Sequence, residues 1–209
     1  MEPTGISGPF IRKIEGLVSC VPVGSSAALC CFCFGVAMNK AREYGIRPLT
    51  RSDQSFLWVM LYQSLYVPEG QPPFERSILD HPDVAKYVRD WGRENDSGFV
   101  AVNENNQPVG AIWLRLLRGV ERGFGYVDDR TPELGMAVLS EYRGKGIGTS
   151  LLSRLIESAG GTYESISLSV AKGNRAVRLY QRAGFEMIGG DGHSIIMKRK
   201  VNASGQRAT

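Results

Sequence analysis

Residues 134–159, LGMAVLSEYRGKGIGTSLLSRLIESA, constrain this chain more than any other stretch, because they join an apolar strand to an amphipathic helix through three glycines in five positions. Leu134, Met136, Val138 and Leu139 form a short apolar run suited to a central strand, and Ser140, Glu141 and Tyr142 lead the chain out of it. From Ile147 the apolar positions fall at Ile147, Leu151, Leu152, Leu155 and Ile156, one face of a helix that Gly160 and Gly161 stop. The helix therefore starts inside the turn Arg143, Gly144, Lys145, Gly146, Ile147, Gly148, Thr149. A helix start leaves amide N–H groups without partners and a partial positive charge behind them, and glycines let a pyrophosphate approach without meeting a Cβ. The turn reads as a phosphate cradle, with Arg143 and Lys145 adding charge; a plain strand-to-helix corner carrying solubilising cations is the alternative.

Two other phosphate loops are excluded. A Walker loop requires a Lys followed by Ser or Thr after its last glycine, and Gly148 is followed by Thr149 and Ser150. A dinucleotide fingerprint requires its third glycine where Thr149 stands and an acidic residue at the end of the next strand, whereas Glu164 precedes that strand.

Around this unit the chain reads in order as a short edge strand at 46–49, where Pro48 demands that no ladder bond be needed, a helix over 54–66 started by Asp53, and a break at 68–73. Pro82 opens a second helix over 83–93 with Val84, Tyr87, Val88 and Trp91 on one face. A hairpin follows, 99–102 and 109–117 about a polar turn, then a glycine- and charge-rich excursion at 119–130. After the central helix come a strand at 165–170, a helix at 174–183 and closing strands at 185–189 and 194–198. That order predicts an α/β (α+β) fold, one mixed sheet covered by helices on both sides, with no internal repeat.

The chain of 209 residues is long enough for one domain plus an extension. Its net charge of +4 is matched by Lys198, Arg199, Lys200 and Arg207 at the C-terminal end, so the body is close to neutral and no basic face argues for nucleic acid. All four cysteines, Cys20, Cys30, Cys31 and Cys33, precede Met38, which leaves no thiol in the body as nucleophile or metal ligand and fits a cytoplasmic location. Residues 17–38 carry no charge; Pro22, Gly24 and Gly35 weaken a membrane span, and no small-x-small cleavage site follows for a signal peptide. The division expected is an N-terminal extension, 1–37, that is disordered or adds nothing to the fold, and a domain over 38–209 with its core at about 45–199. A membrane-tethered enzyme using 17–38 is the rival.

Arg143-x-x-Gly146-x-Gly148 after an apolar strand resembles the acyl-CoA pyrophosphate loop of the GNAT N-acetyltransferase superfamily, and Asn174-x-x-Ala176-x-x-Leu179-Tyr180-x-x-x-Gly184-Phe185 is similar to that family's later motif. Two motifs in the right order about thirty residues apart are far more specific than either alone. The resemblance implies a mostly antiparallel sheet of six to seven strands, acetyl-CoA as cosubstrate without a metal, an amine acceptor and direct transfer in a ternary complex, with a homodimer left open. It implies that the backbone of Met136, Ala137 and Val138 pairs with the pantetheine arm and that the two helices before the sheet wall the acceptor site. It also raises Asn174, otherwise a helix cap, to a candidate cofactor ligand.

Tyr180 is the candidate acid for the departing thiolate: a phenol titrates near ~10 and a thiol near ~8.5, so the tyrosine holds its proton until a thiolate forms beside it. A core aromatic is the alternative. Glu133, at the start of the central strand, is the candidate base, directly or through water, against an ordinary strand-end carboxylate; Tyr126, Asp128 and Asp129 are weaker rivals. His81 and His193 fit solvated turns better than a zinc site. A non-catalytic acyl-CoA-binding or interaction module is the reading from outside enzymology.

Overall fold

A computed structural model of the chain describes residues 44–201. The uncharged stretch at 17–38, Met38 and Arg207 lie outside the described residues. Seven strands, β1 (Tyr44–Pro48), β2 (Ser97–Asn103), β3 (Pro108–Arg115), β4 (Glu133–Val138), β5 (Ser165–Ala171), β6 (Glu186–Gly190) and β7 (Ser194–Lys200), form one sheet in the order β1-β2-β3-β4-β5-β7-β6. Every neighbouring pair is antiparallel except β4 and β5. The sheet is thus mixed, mostly antiparallel and seven-stranded, as the sequence predicts. β1 lies at an edge, where Pro48 needs no second partner.

Helices α1 (Gln54–Ser64) and α2 (Pro82–Ala85) cover one face, and α3 (Ile147–Ala159) and α4 (Ala176–Arg182) the other. On α3 the predicted stripe is the buried one: Ile147, Leu151, Leu152 and Leu155 are at most 2% exposed and pack on Ile112, Leu114, Leu134 and Leu168. Four such side chains contribute on the order of 1.5–3 kcal/mol each. The opposite core joins Leu57, Met60 and Leu61 of α1 to Val84, Tyr87, Val88 and Trp91 over Ala111, Trp113 and Ala137.

The second helix is shorter than its pattern predicts. The α-helix ends at Ala85 and residues 86–90 form turns, although all four expected apolar residues are buried. The reason is a buried guanidinium. Arg115, 1% exposed, takes the carbonyls of Lys86 (2.8 Å), Arg89 (2.6 Å) and Asp90 (3.5 Å), which an ongoing helix would offer to its own amides, and pairs with Asp96 (Nη2 to Oδ2, 2.5 Å). Asp90 (φ 55°) then turns the chain left-handed. The first helix ends at Ser64, two residues early, where Leu65 becomes extended before Pro68.

Candidate functional site

β4 and β5 share only the first rung of a ladder. Glu133 is in register with Ser167, whose N–H donates to Pro132 O (3.0 Å), and beyond that rung the strands part, while β3–β4 and β5–β7 stay paired along their length. A strand residue points its N–H and C=O to the same edge, and successive residues alternate. Leu139 N–H donates to Val109 O on the β3 side, so the amides of Met136 and Val138 face the opening and that of Ala137 faces β3. Met136 therefore offers an extended ligand arm both of its ladder groups, and Val138 its N–H, which β5 leaves free.

At the end of this strand the turn has the geometry of a cradle. Gly144 (φ 77°) and Gly146 (φ 83°) are left-handed, and a Cβ at Gly144 would meet nothing within 4 Å. Gly146 caps α3, whose first helical bond is Ser150 N–H to Gly146 O (3.0 Å), so the amides of Ile147, Gly148 and Thr149 have no acceptor within the helix. Amides without a helical acceptor, beside two left-handed glycines and the open space at Gly144, fit a pyrophosphate. Lys145 Nζ stands over the Tyr142 ring (5.1 Å) at the rim. Arg143 is engaged beside the cradle: its Nε donates to Val138 O (2.9 Å) and its Nη2 to Gln63 Oε1 (3.2 Å), tying the strand end to α1.

Cradle, strand and later motif converge at Gly148, where a Cβ would lie 3.7 Å from Leu179 Cδ2 and 3.9 Å from Met136 Cε. The next residue, Tyr180, is 6% exposed and meets Phe185 edge-on, ring centroids 5.7 Å apart. Among the described residues its hydroxyl has no hydrogen-bond partner, and burial alone pushes the phenol well above its ordinary pKa. Asn174 acts as a local cap, its Oδ1 accepting from Ala176 N–H (2.9 Å).

Glu133 lies where the two strands part. It is 4% exposed, and its Oε1 accepts from Tyr87 Oη–H (2.7 Å) and Gly125 N–H (2.8 Å), while Oε2 has no partner among the described residues. Burial pushes its pKa up to about 7, against the two hydrogen bonds and the Lys86 ammonium, which favour the charged form. Two more buried orphans share this face of the sheet: Ser167 Oγ, across the rung from Glu133, and Trp113 Nε1, whose ring lies on Gly135. Glycines admit the loop above. A Cβ at Gly123 would stand 2.0 Å from Glu133 Oε2, and one at Gly125 would stand 2.6 Å from the Leu168 backbone.

The rival groups are engaged elsewhere. Tyr126 Oη donates to Asp129 Oδ1 (2.8 Å), and Asp128 stands 3.5 Å from Lys198 Nζ. His81 caps α2 through Nδ1, accepting from Asp83 N–H (3.2 Å), and His193 sits in the β6–β7 turn with its N–H on Asp191 Oδ1 (2.8 Å). Among the described residues no group of three or more His, Cys, Asp or Glu is placed to hold a metal ion, and no helix is long and apolar enough to cross a membrane. Sequence reasoning missed Tyr87 as a partner of Glu133. Its phenol among Val84, Val88 and Trp91 was the available signal, since a buried tyrosine hydroxyl requires a partner.

Comparison with known proteins agrees with this geometry. The model of the acetyltransferase (GNAT) family, whose members use acetyl-CoA, matches residues 58–185, more than half of the chain. No curated protein matches the sequence significantly. Among solved structures, the ribosomal-protein-S18-alanine N-acetyltransferase from Escherichia coli superposes with a TM-score of 0.54 at 17% identity, covering 79% of this chain and 99% of that one. A GNAT-family acetyltransferase from Streptococcus pneumoniae gives 0.54 at 20% identity over 77% and 100%. Spermidine N-acetyltransferase from Vibrio cholerae, solved in complex with CoA and spermine, gives 0.51 at 21% identity over 76% and 96%. These likenesses establish the fold, and with the family match over the central strand, the cradle and the later motif the chain belongs to the acetyltransferase (GNAT) family.

Proposed function

We propose that the protein transfers the acetyl group of acetyl-CoA directly to a primary amine of a small molecule or peptide, with Glu133 as base and Tyr180 as acid. The observation that carries the assignment is the placement of Glu133: a nearly dry carboxylate with one unpartnered oxygen, where β4 and β5 part, on the strand that ends in the cradle. In this reading the amides of Ile147, Gly148 and Thr149, with Gly144, Lys145 and Gly146 around them, take the pyrophosphate, and Met136 and Val138 pair with the pantetheine arm. Arg143 fixes the strand end, Ala137 packs beneath it, and Asn174 shapes the start of the acid's helix.

Amide formation requires a neutral amine. Glu133 accepts one proton from the acceptor as the new C–N bond forms, and Tyr180 gives one to the thiolate as the C–S bond breaks, so no net charge is left on the products. A carboxyl titrating near 7 is half ionised at neutral pH, where a base works best. The body has no cysteine, which favours direct transfer over a cysteine acyl-enzyme. The named neighbours act on spermidine and on a ribosomal-protein alanine, which supports an amine acceptor without choosing between a small molecule and a protein terminus.

The test is acetyl-CoA-dependent thiol release over a panel of polyamines, amino acids, amino sugars and peptide N-termini. Release stimulated by at least one amine class, lowered about a hundredfold or more in Glu133→Gln and with an acidic limb near pH 7 in the wild type, is expected. Saturable acetyl-CoA binding with no amine-stimulated release would overturn the proposal in favour of a binding module.

A further inference from the structure

Glu133 is held from one side only, and the holder is a residue that neither recognised motif contains. Tyr87, 8% exposed, stands at a junction of two hydrogen bonds: its Oη–H donates to Glu133 Oε1 (2.7 Å) while its oxygen accepts from Phe124 N–H (2.7 Å), and its ring stacks on Phe124 at 6.1 Å. Gly125 N–H, one residue on, takes the same Oε1 (2.8 Å). One carboxylate oxygen thus has two donors and the other has none. We propose, resting on Glu133 as the base, that Tyr87 is the positioning residue of this carboxylate: it pins Oε1, leaves Oε2 as the oxygen whose lone pairs no donor engages, and fastens residues 123–125 above it.

The chemistry requires some such device. A carboxylate whose two oxygens can exchange by rotation about the last side-chain bond presents a lone pair to the amine only part of the time, and two donors on one oxygen remove that freedom. A donor to the ionised form also favours it, which offsets part of the burial that raises this group. The other charges facing Glu133 are set independently of Tyr87. Lys86 Nζ is taken by Asp83 Oδ1 (2.9 Å) and Arg122 O (2.7 Å); Arg115, the cross-strand neighbour of Glu133 on β3, is committed to Asp96; and on the loop and β7 side Asp128 stands beside Lys198. None of these hydrogen-bonds to the Tyr87 hydroxyl.

Tyr87→Phe removes one oxygen and keeps the ring. The acidic limb of kcat/KM is expected to move up by about one pH unit, the scale of a lost hydrogen bond to a charged group. Activity then falls about tenfold on the acid side and recovers to within about threefold above pH 9, with acetyl-CoA affinity unchanged. In a Glu133→Gln background the same change is expected to cost nothing further, because Tyr87 acts through the carboxylate. Incorporating 3-fluorotyrosine at position 87 keeps the packing, makes the phenol a stronger donor and should shift the limb down, which decides the matter if Tyr87→Phe folds poorly. A limb that Glu133→Gln abolishes but neither change at position 87 moves overturns this inference alone, as does a rate loss equal at all pH values. A limb that survives in Glu133→Gln overturns the base assignment and this one with it.

Discussion

Replacing Glu133 by Gln should make the protein relatively more stable as the pH rises, and the size of the effect follows from the burial of one group. The side-chain carboxyl titrates at 4.5 in an unfolded chain and is pushed up to about 7 in the fold, chiefly by desolvation. Between those values the native state holds a proton that the unfolded state has released, so the wild type loses stability as pH rises from 4.5 to 7 and no further above. Two and a half units at about 1.4 kcal/mol each come to between about 3 and 4 kcal/mol in full, of which about 3 falls between pH 4.5 and 8. Glutamine does not titrate. Its oxygen can keep the bonds from Tyr87 and Gly125, and its amide nitrogen takes the place of the orphaned Oε2 beneath Gly123. Burying that unpaired amide costs about 1–3 kcal/mol, but the cost does not vary with pH, and every other carboxylate titrates alike in the two proteins. The quantity to measure is therefore the difference in unfolding free energy between wild type and Glu133→Gln, from urea titrations at pH 4.5, 6 and 8 followed by the fluorescence of buried Trp91 and Trp113. It should shift by about 3 kcal/mol in favour of the variant across that range. A difference constant to within about 1 kcal/mol from pH 4.5 to 8 would refute the claim that Glu133 is a desolvated carboxylate.

Tyr180→Phe should lower kcat by about a hundredfold or more, the range of a lost general acid, with acetyl-CoA affinity measured by calorimetry nearly kept; an unchanged kcat removes the phenol from the reaction. Gly146→Val places a β-branched residue at φ 83° and a side chain at the cradle mouth, and acetyl-CoA affinity should fall about tenfold or more in the same titration. Leu151→Ala, at a fully buried position of α3, should cost about 2–5 kcal/mol in a urea titration, and a loss below 1 kcal/mol would mean that α3 is not fixed to the sheet by this stripe.

How much of this was legible in the sequence depended on how local the cause was. The turn at 143–148 and the start of α3 follow from glycine positions and a helical apolar period, and both stand where they were expected. The second helix failed because its carbonyls are taken by Arg115, a side chain 26 to 29 residues away whose burial no local pattern announces. The contacts of Arg143 are distant in the same way: a cation beside a glycine turn suggests a phosphate ligand, and no local pattern announces that its guanidinium also meets Val138 O and Gln63. Glu133 could be picked out by its place at the head of the strand, but its partner Tyr87 lies 46 residues earlier, in a run whose apolar neighbours mark it as core.

The opening between β4 and β5 lies beside a distant segment that fixes its surroundings. Two parallel strands that share one rung have every local reason to continue pairing, since each unpaired amide of β4 has a potential acceptor on β5. The connection from β3 covers the point where they part. Its backbone at Gly125 lies against Leu168 and Ser169 of β5 closely enough that no Cβ fits, and from there its N–H reaches Glu133. The loop can hold the carboxylate only by lying against β5, and it can lie there only as glycine. Glu133, Ser167 and Trp113 keep unpartnered polar atoms beneath it on the same face. The buried carboxylate and its cover are thus consequences of one packing arrangement, and a side chain at position 125 would disturb both together.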